Sequence, residues 1–191
     1  MTESTQVAQE LPERSFGWWD MWVSPEDDPR DDSTLVGERA VLTGYLRNYR
    51  LTLELKCSGL DAQQLARRSV PPSNLSLLGL VRHLTEVERY WFRKAMAGED
   101  VPELYVREGE DDWDIDGAVA DPAVVEEAWQ NWRAEVKYGE EFVAAATDLG
   151  MNSPDGENNL RDVLVHLIEE YCRHMGHADL IRERIDGRVG Q

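Results

Sequence analysis

Four side chains near the C-terminal end of the chain have the types and spacing for metal chemistry: His166, Glu170, His174 and His177. On a helix advancing about 100° per residue they fall within an arc of roughly 80°. Glu170 and His174 are one turn apart, so both head groups can reach one divalent ion with little backbone strain. The remaining histidine of the chain, His83, lies far upstream. Supplied from a facing helix, it completes three protein ligands and leaves a position for water or substrate, an open shell of the catalytic type. The same spacing also suits a solvated carboxylate–imidazole pair, so what matters is where the pair sits relative to the apolar face of its helix.

The other groups nearby leave their roles open. His177 could be a fourth ligand, the proton carrier of a catalytic site, a donor that orients Glu170, or a structural histidine bonded to a carbonyl or water. His166 reads as structural or solvent-facing. Cys172 projects about 160° from His174 and cannot share an ion with it, so a buried, inert thiol is expected. Tyr90, Trp91 and Tyr171 read as core aromatics first and pocket walls second.

These groups need helices to position them. The last helix is expected over 159–186, with Leu160, Val163, Leu164, Leu167, Tyr171, Met175, Ala178 and Ile181 as its apolar stripe and Glu170 and His174 along the stripe's edge. Asn158 or Asn159 can cap it and Gly187 stops it. His83 lies at the edge of a second stripe, Leu77, Leu80, Val81, Leu84, Val87, Tyr90 and Trp91, on a helix starting near Ser76. A first helix is expected over 37–57, a short turn over 61–68 with Asp61 as N-cap, and a third long helix from Pro122, capped by Asp121, to about Leu149. The acidic stretch 99–121 between them reads as a long loop over the bundle end. No segment reads as a strand. The fold class is therefore all-α: a four-helix bundle over 37–187, preceded by an N-terminal arm over 1–36. Within the arm, Phe16, Trp18, Trp19, Met21 and Trp22 form an apolar cluster expected to dock on the bundle or on a second subunit.

Composition excludes several function classes. With 191 residues and a formal charge of −18, the chain is expected to form one acidic domain that repels phosphate backbones and anionic membranes, so neither nucleic acid nor a membrane is an expected partner. No apolar run approaches the roughly 20 residues of a membrane span, and no leader pattern opens the sequence, so a cytoplasmic location is expected. Cys57 and Cys172 do not make a disulfide framework and are expected as reduced thiols.

The segments LSLLGLVRHLTEVERYWFR and LVHLIEEYCRHMGHADLIRERIDG resemble the DinB-like superfamily, in particular its actinobacterial branch of uncharacterised function, over residues 37–187. The resemblance implies a four-helix bundle that commonly dimerises and holds a divalent metal through a histidine early in the second helix and a pair in the last. His83 matches the first of these, and His174, followed by Met175 and Gly176, matches the last. Glu170 stands where many members have histidine. The similar mycothiol-dependent maleylpyruvate isomerases use a His, Glu, His set with this same pair.

By that likeness the chain is expected to be a metal-dependent S-transferase or isomerase. It would use a low-molecular-weight thiol of the mycothiol type and a small-molecule substrate, with His83, Glu170 and His174 on the metal. His177 is the candidate catalytic group by its place one turn beyond His174, not by the likeness. Zinc is the first choice of ion; nickel, iron and manganese suit a mixed nitrogen and oxygen shell too. Two alternatives stay open: a hydrolase using metal-activated water, and a non-catalytic, stress-associated bundle whose arm and acidic surface serve a partner.

Overall fold

The computed structural model describes residues 11–30 and 33–191; of the expected arm, residues 1–10 and 31–32 lie outside the described residues. The chain forms a mostly helical bundle. Its elements are β1 (Ser15–Phe16), α1 (Glu38–Cys57), α2 (Ala62–Leu65), α3 (Leu77–Arg89), α4 (Trp113–Asp116), α5 (Pro122–Ala145), α6 (Leu160–Asp186) and β2 (Arg188–Val189). α3 runs on without a break into a wider π-helical stretch, Tyr90–Met96. α1 packs along α6, and α3 packs along both α5 and α6.

The caps are those expected from side-chain chemistry. Asp61 accepts from Gln64 N–H, whose own side chain returns the bond; Ser76 accepts from Gly79 N–H, Asp121 from Ala123 N–H and Asn159 from Arg161 N–H. Gly187 ends α6 in the left-handed conformation (φ 77°), which leaves its N–H to bond the Glu183 carbonyl. α5 stops four residues before the expected Leu149. There the Arg39 guanidinium donates to the carbonyls of Val143 and Ala146, at 2.7 Å each, and so takes up acceptors that a further turn would have used.

Leu80, Val81 and Leu84 of α3 and Leu160, Leu164, Leu167 and Ala178 of α6 are fully or almost fully buried, as their stripes require. Through this core runs a polar chain. Arg50 makes two bonds to Glu88 (2.8 and 2.7 Å), Tyr171 donates to Glu88 (2.8 Å), and the Trp132 indole donates to Tyr171 (2.9 Å). It links α1, α3, α5 and α6. Gly139 on α5 lets the π-helical stretch approach, since a Cβ there would sit 2.5 Å from the Phe92 ring.

Three expectations need correction. The chain does contain strands, because residues 15–16 of the arm pair in parallel with residues 188–189 after α6; this pairing joins opposite ends of the sequence and has no local signature. Of the aromatic cluster, only Trp22 is buried (1 % exposed), whereas Phe16, Trp18 and Trp19 remain exposed, Trp19 at 78 %. Cys172 is exposed, not buried, since it projects from the side of α6 away from the core.

Candidate metal centre

α6 places Glu170 and His174 one turn apart on its inner side, where both are buried (8 % and 7 % exposed). A carboxylate and an imidazole taken out of water need compensating partners. α3 brings His83 opposite them. His174 Nε2 lies 3.4 Å and His83 Nε2 3.9 Å from Glu170 Oε2, and the two imidazole rings are 4.8 Å apart. One ligand atom from each of the three residues lies within 4.8 Å of the others.

The far side of each group is held as well. His83 Nδ1 is 2.8 Å from Asp114 Oδ2, Arg173 Nη2 is 2.9 Å from Glu170 Oε1, and His177 Nδ1 is 3.3 Å from His174 Nδ1. An ionised carboxylate only accepts, so the Asp114 contact puts the proton of a neutral His83 on Nδ1 and leaves Nε2 as a lone pair. At His174 the partner is the His177 ring, and in the tautomer in which His177 Nδ1 accepts, His174 Nε2 is again a lone pair and three acceptor atoms converge. That donor set suits a divalent cation, whose bonds of about 2.0–2.2 Å place ligand atoms roughly 3.3–3.6 Å apart, close to the Glu170–His174 spacing, while the set as a whole, spread over up to 4.8 Å, must draw in. A hydrogen-bonded partner behind each ligand is also the usual means of fixing ring orientation in metal sites.

The electrostatics agree. Burial, reinforced by the neighbouring His83, His177 and Arg173 and opposed by Glu170, pushes the His174 pKa down to about 4, so the ring is neutral at pH 7 as a ligand must be. Burial works against the charge on Asp114, but the hydrogen bond and charge of His83, the Ile115 N–H and Arg82 outweigh it and hold its pKa below the ordinary 3.8.

The centre opens into a cavity of about 500 Å³ between α3 and the stretch 99–121. That stretch is pinned to α3. Arg82 donates to the carbonyls of Trp113 and Asp114 (2.9 and 2.7 Å), and Glu86 accepts from the N–H groups of Leu104 and Tyr105 (2.6 Å each). His83 and His174 form part of the cavity wall, together with Tyr90, which is half exposed and thus a pocket wall, not a core aromatic. Tyr171 is wholly buried as expected.

The structure thus brings together His83, Glu170 and His174, with His177 touching the outer nitrogen of His174. His166 stands on the other side of Glu170, with Nε2 3.8 Å from Oε1 and its ring against Trp91 at 4.8 Å. Two members of the site escaped sequence reasoning. Arg173 was legible in principle, being one turn from Glu170 on the same helix. Asp114 was not, because nothing in an acid-rich loop distinguishes one aspartate from its neighbours.

Residues 41–187 match the family model described as Mycothiol-S-transferase. The chain belongs to that family. The matched stretch contains the three candidate ligands, His177, Asp114 and Arg173, and excludes the arm. Membership of the mycothiol S-transferase family also carries the expected DinB-like kinship. No curated protein matches the chain. Among the described residues, no helix is long and apolar enough to cross a membrane.

Proposed function

We propose that the protein is a metal-dependent S-transferase that joins a mycothiol-type thiol to a small electrophilic molecule, with the bundle over 37–187 carrying the site and the arm over 1–36 bracing it. The observation that supports this best is the convergence of His83 Nε2, Glu170 Oε2 and His174 Nε2, each backed by a partner, at the wall of a cavity of about 500 Å³. In this reading His83, Glu170 and His174 hold the ion. When bound, a divalent cation, zinc by first choice, supplies a Lewis acid that keeps a thiol sulfur ionised at neutral pH.

The chain's own groups do the rest. Asp114 and Arg173 orient His83 and Glu170. Burial between α3, α6 and the pinned stretch 99–121 favours the uncharged form of the His174 imidazole. His177, half-buried beside His174 Nδ1, is assigned the proton that the thiol gives up. The pinned stretch forms the wall against which the electrophile is chosen. We further propose a cytoplasmic location and a homodimer.

Elemental analysis of the purified protein and of its His83→Ala, Glu170→Ala and His174→Ala variants tests the centre. About one divalent ion per chain is expected in the wild type, and none in any variant. A wild-type protein that holds no ion and cannot be loaded overturns the reading. If the wild type is loaded, transfer of mycothiol to a reporter electrophile, lost together with the ion, tests the reaction. For His177, substitution by Gln separates a proton carrier, whose loss removes one limb of the pH–rate profile, from a merely orienting group, whose loss lowers ion affinity and leaves the profile's shape.

A further inference from the structure

A second cavity, of about 650 Å³, lies away from the metal centre, between α1 and α5. α1 packs along α6 and α5 along α3, but α1 and α5 make no comparable packing with each other. Four of the residues that face this seam are small, Ala40 and Gly44 on α1 and Gly139 and Ala144 on α5, with the Leu35 side chain lying over Gly44. Its floor is apolar and closed, with Leu46, Phe92, Val143 and Leu164 at most 5 % exposed. The seam is tied at both ends. Arg39 reaches the last carbonyls of α5, and Arg133 bonds Glu54 (3.1 Å) toward the other end of α1. Between the ties the two helices are bridged by the longer ion pair of Arg50 with Glu140, 3.6 Å.

The charge at the mouth runs against the rest of the molecule. Arg47 is exposed and makes no ion pair among the described residues, and Arg39 bonds no carboxylate among them, its charge being offset in part by the negative C-terminal end of α5 whose carbonyls it bonds. Arg50 is matched by the buried Glu88. The carboxylate at the rim is Glu140, 3.6 Å from Arg50. A smaller cavity of about 230 Å³ continues past Arg47, Arg50 and Glu140 and adds Arg133, paired with Glu54, and Lys137, paired with Glu141. The positive charge of the mouth thus rests on Arg47 and Arg39, in a chain of formal charge −18.

We infer that the seam between α1 and α5 binds a small amphipathic anion, with its apolar part on Phe92, Leu164 and the small-residue walls and its acidic head at Arg47 and Arg39. The volume is in the range of small-molecule sites, about 300–1,000 Å³, and an apolar lining with a few convergent polar groups is their usual chemistry. The ties at both ends leave no open channel for a long helix or extended peptide. The charge of the mouth selects an anion over a cation. The inference stands independently of the metal centre.

Calorimetric titration of the full-length protein with decanoate, and with decyltrimethylammonium as the cationic homologue, tests it. One saturable decanoate site per chain is expected, with the cation binding at least tenfold more weakly. Arg47→Glu should weaken decanoate at least fivefold, and Ala144→Trp, which fills the seam, should abolish its binding. Both residues are exposed, so each variant should keep the wild-type melting temperature and metal content. No saturable decanoate binding, equal affinity for the cation, or binding indifferent to Ala144→Trp overturns the inference. So does a dimer that dissociates in Ala144→Trp but not with decanoate, since the seam would then belong to a second copy.

Discussion

A neutral imidazole carries one proton, and at His83 the Asp114 carboxylate holds it on Nδ1, away from Glu170. Removing that partner frees the ring to turn and to change tautomer. Asp114→Ala is therefore expected to weaken divalent-ion affinity about 10- to 100-fold while leaving the helical content unchanged, as competition with a chromophoric chelator would measure. His174 makes a second prediction, on stability. Its pKa is about 4 in the fold and near the ordinary 6.5 in the unfolded chain, so above pH 6.5 the ring is neutral in both states and contributes no pH dependence. As pH falls from 6.5 towards 4, only the unfolded chain takes up the proton, and stability is lost across that window. Thermal melts of the chelated protein should fall over this range, and His174→Gln should show a shallower fall. Identical slopes would contradict the assignment.

α1, α3, α5 and α6 are held in register by a polar chain as well as by apolar packing. Glu88 is fully buried and Arg50 nearly so. Each therefore depends on the other for its charge, and Glu88 also accepts a hydrogen bond from the hydroxyl of Tyr171, the residue next to the candidate ligand Glu170. Arg50→Met or Glu88→Gln alone is expected to cost about 3–5 kcal/mol, because one buried group is left without its partner. The combined replacement Arg50→Met with Glu88→Gln should cost less than the sum of the two, which urea unfolding of the single and double variants would show. The helices themselves were legible before any coordinates, since stripes and caps are local. Asn159, Asp121, Ser76 and Asp61 mark their starts through side-chain bonds to N–H groups two or three residues on. The early end of α5 was not, because Arg39, far away in sequence, supplies it.

For the whole molecule, the described part of the arm is held by backbone pairing with the tail after α6 and by one buried aromatic side chain. Trp22 is enclosed by three cations, Lys56, Arg182 and Arg188, at 4.5, 4.9 and 4.2 Å from its ring. Lys56 in turn bonds the Gly190 carbonyl and Asp179, so the arm, the end of α1 and the tail after α6 meet at one point. Trp22→Ala should cost about 3–5 kcal/mol from lost packing, detectable in denaturant unfolding, with the metal content of the folded protein unchanged. Retention of full stability would mean that the strand pair at residues 15–16 and 188–189 holds the arm alone.

The sequence by itself determined the helical class, the caps and the facing of Glu170, His174 and His83 toward the bundle, because helix geometry turns spacing directly into direction. It also carried the family likeness. Only the tertiary structure decided that the three groups meet within 4.8 Å and that Asp114 and Arg173 stand behind them. It alone decided that one tryptophan of the arm is buried while its neighbours are not, and that α1 and α5 leave a basic seam open. Each of these depends on groups distant in the chain. Such contacts are set by how whole helices and loops pack, and no local period or motif records them.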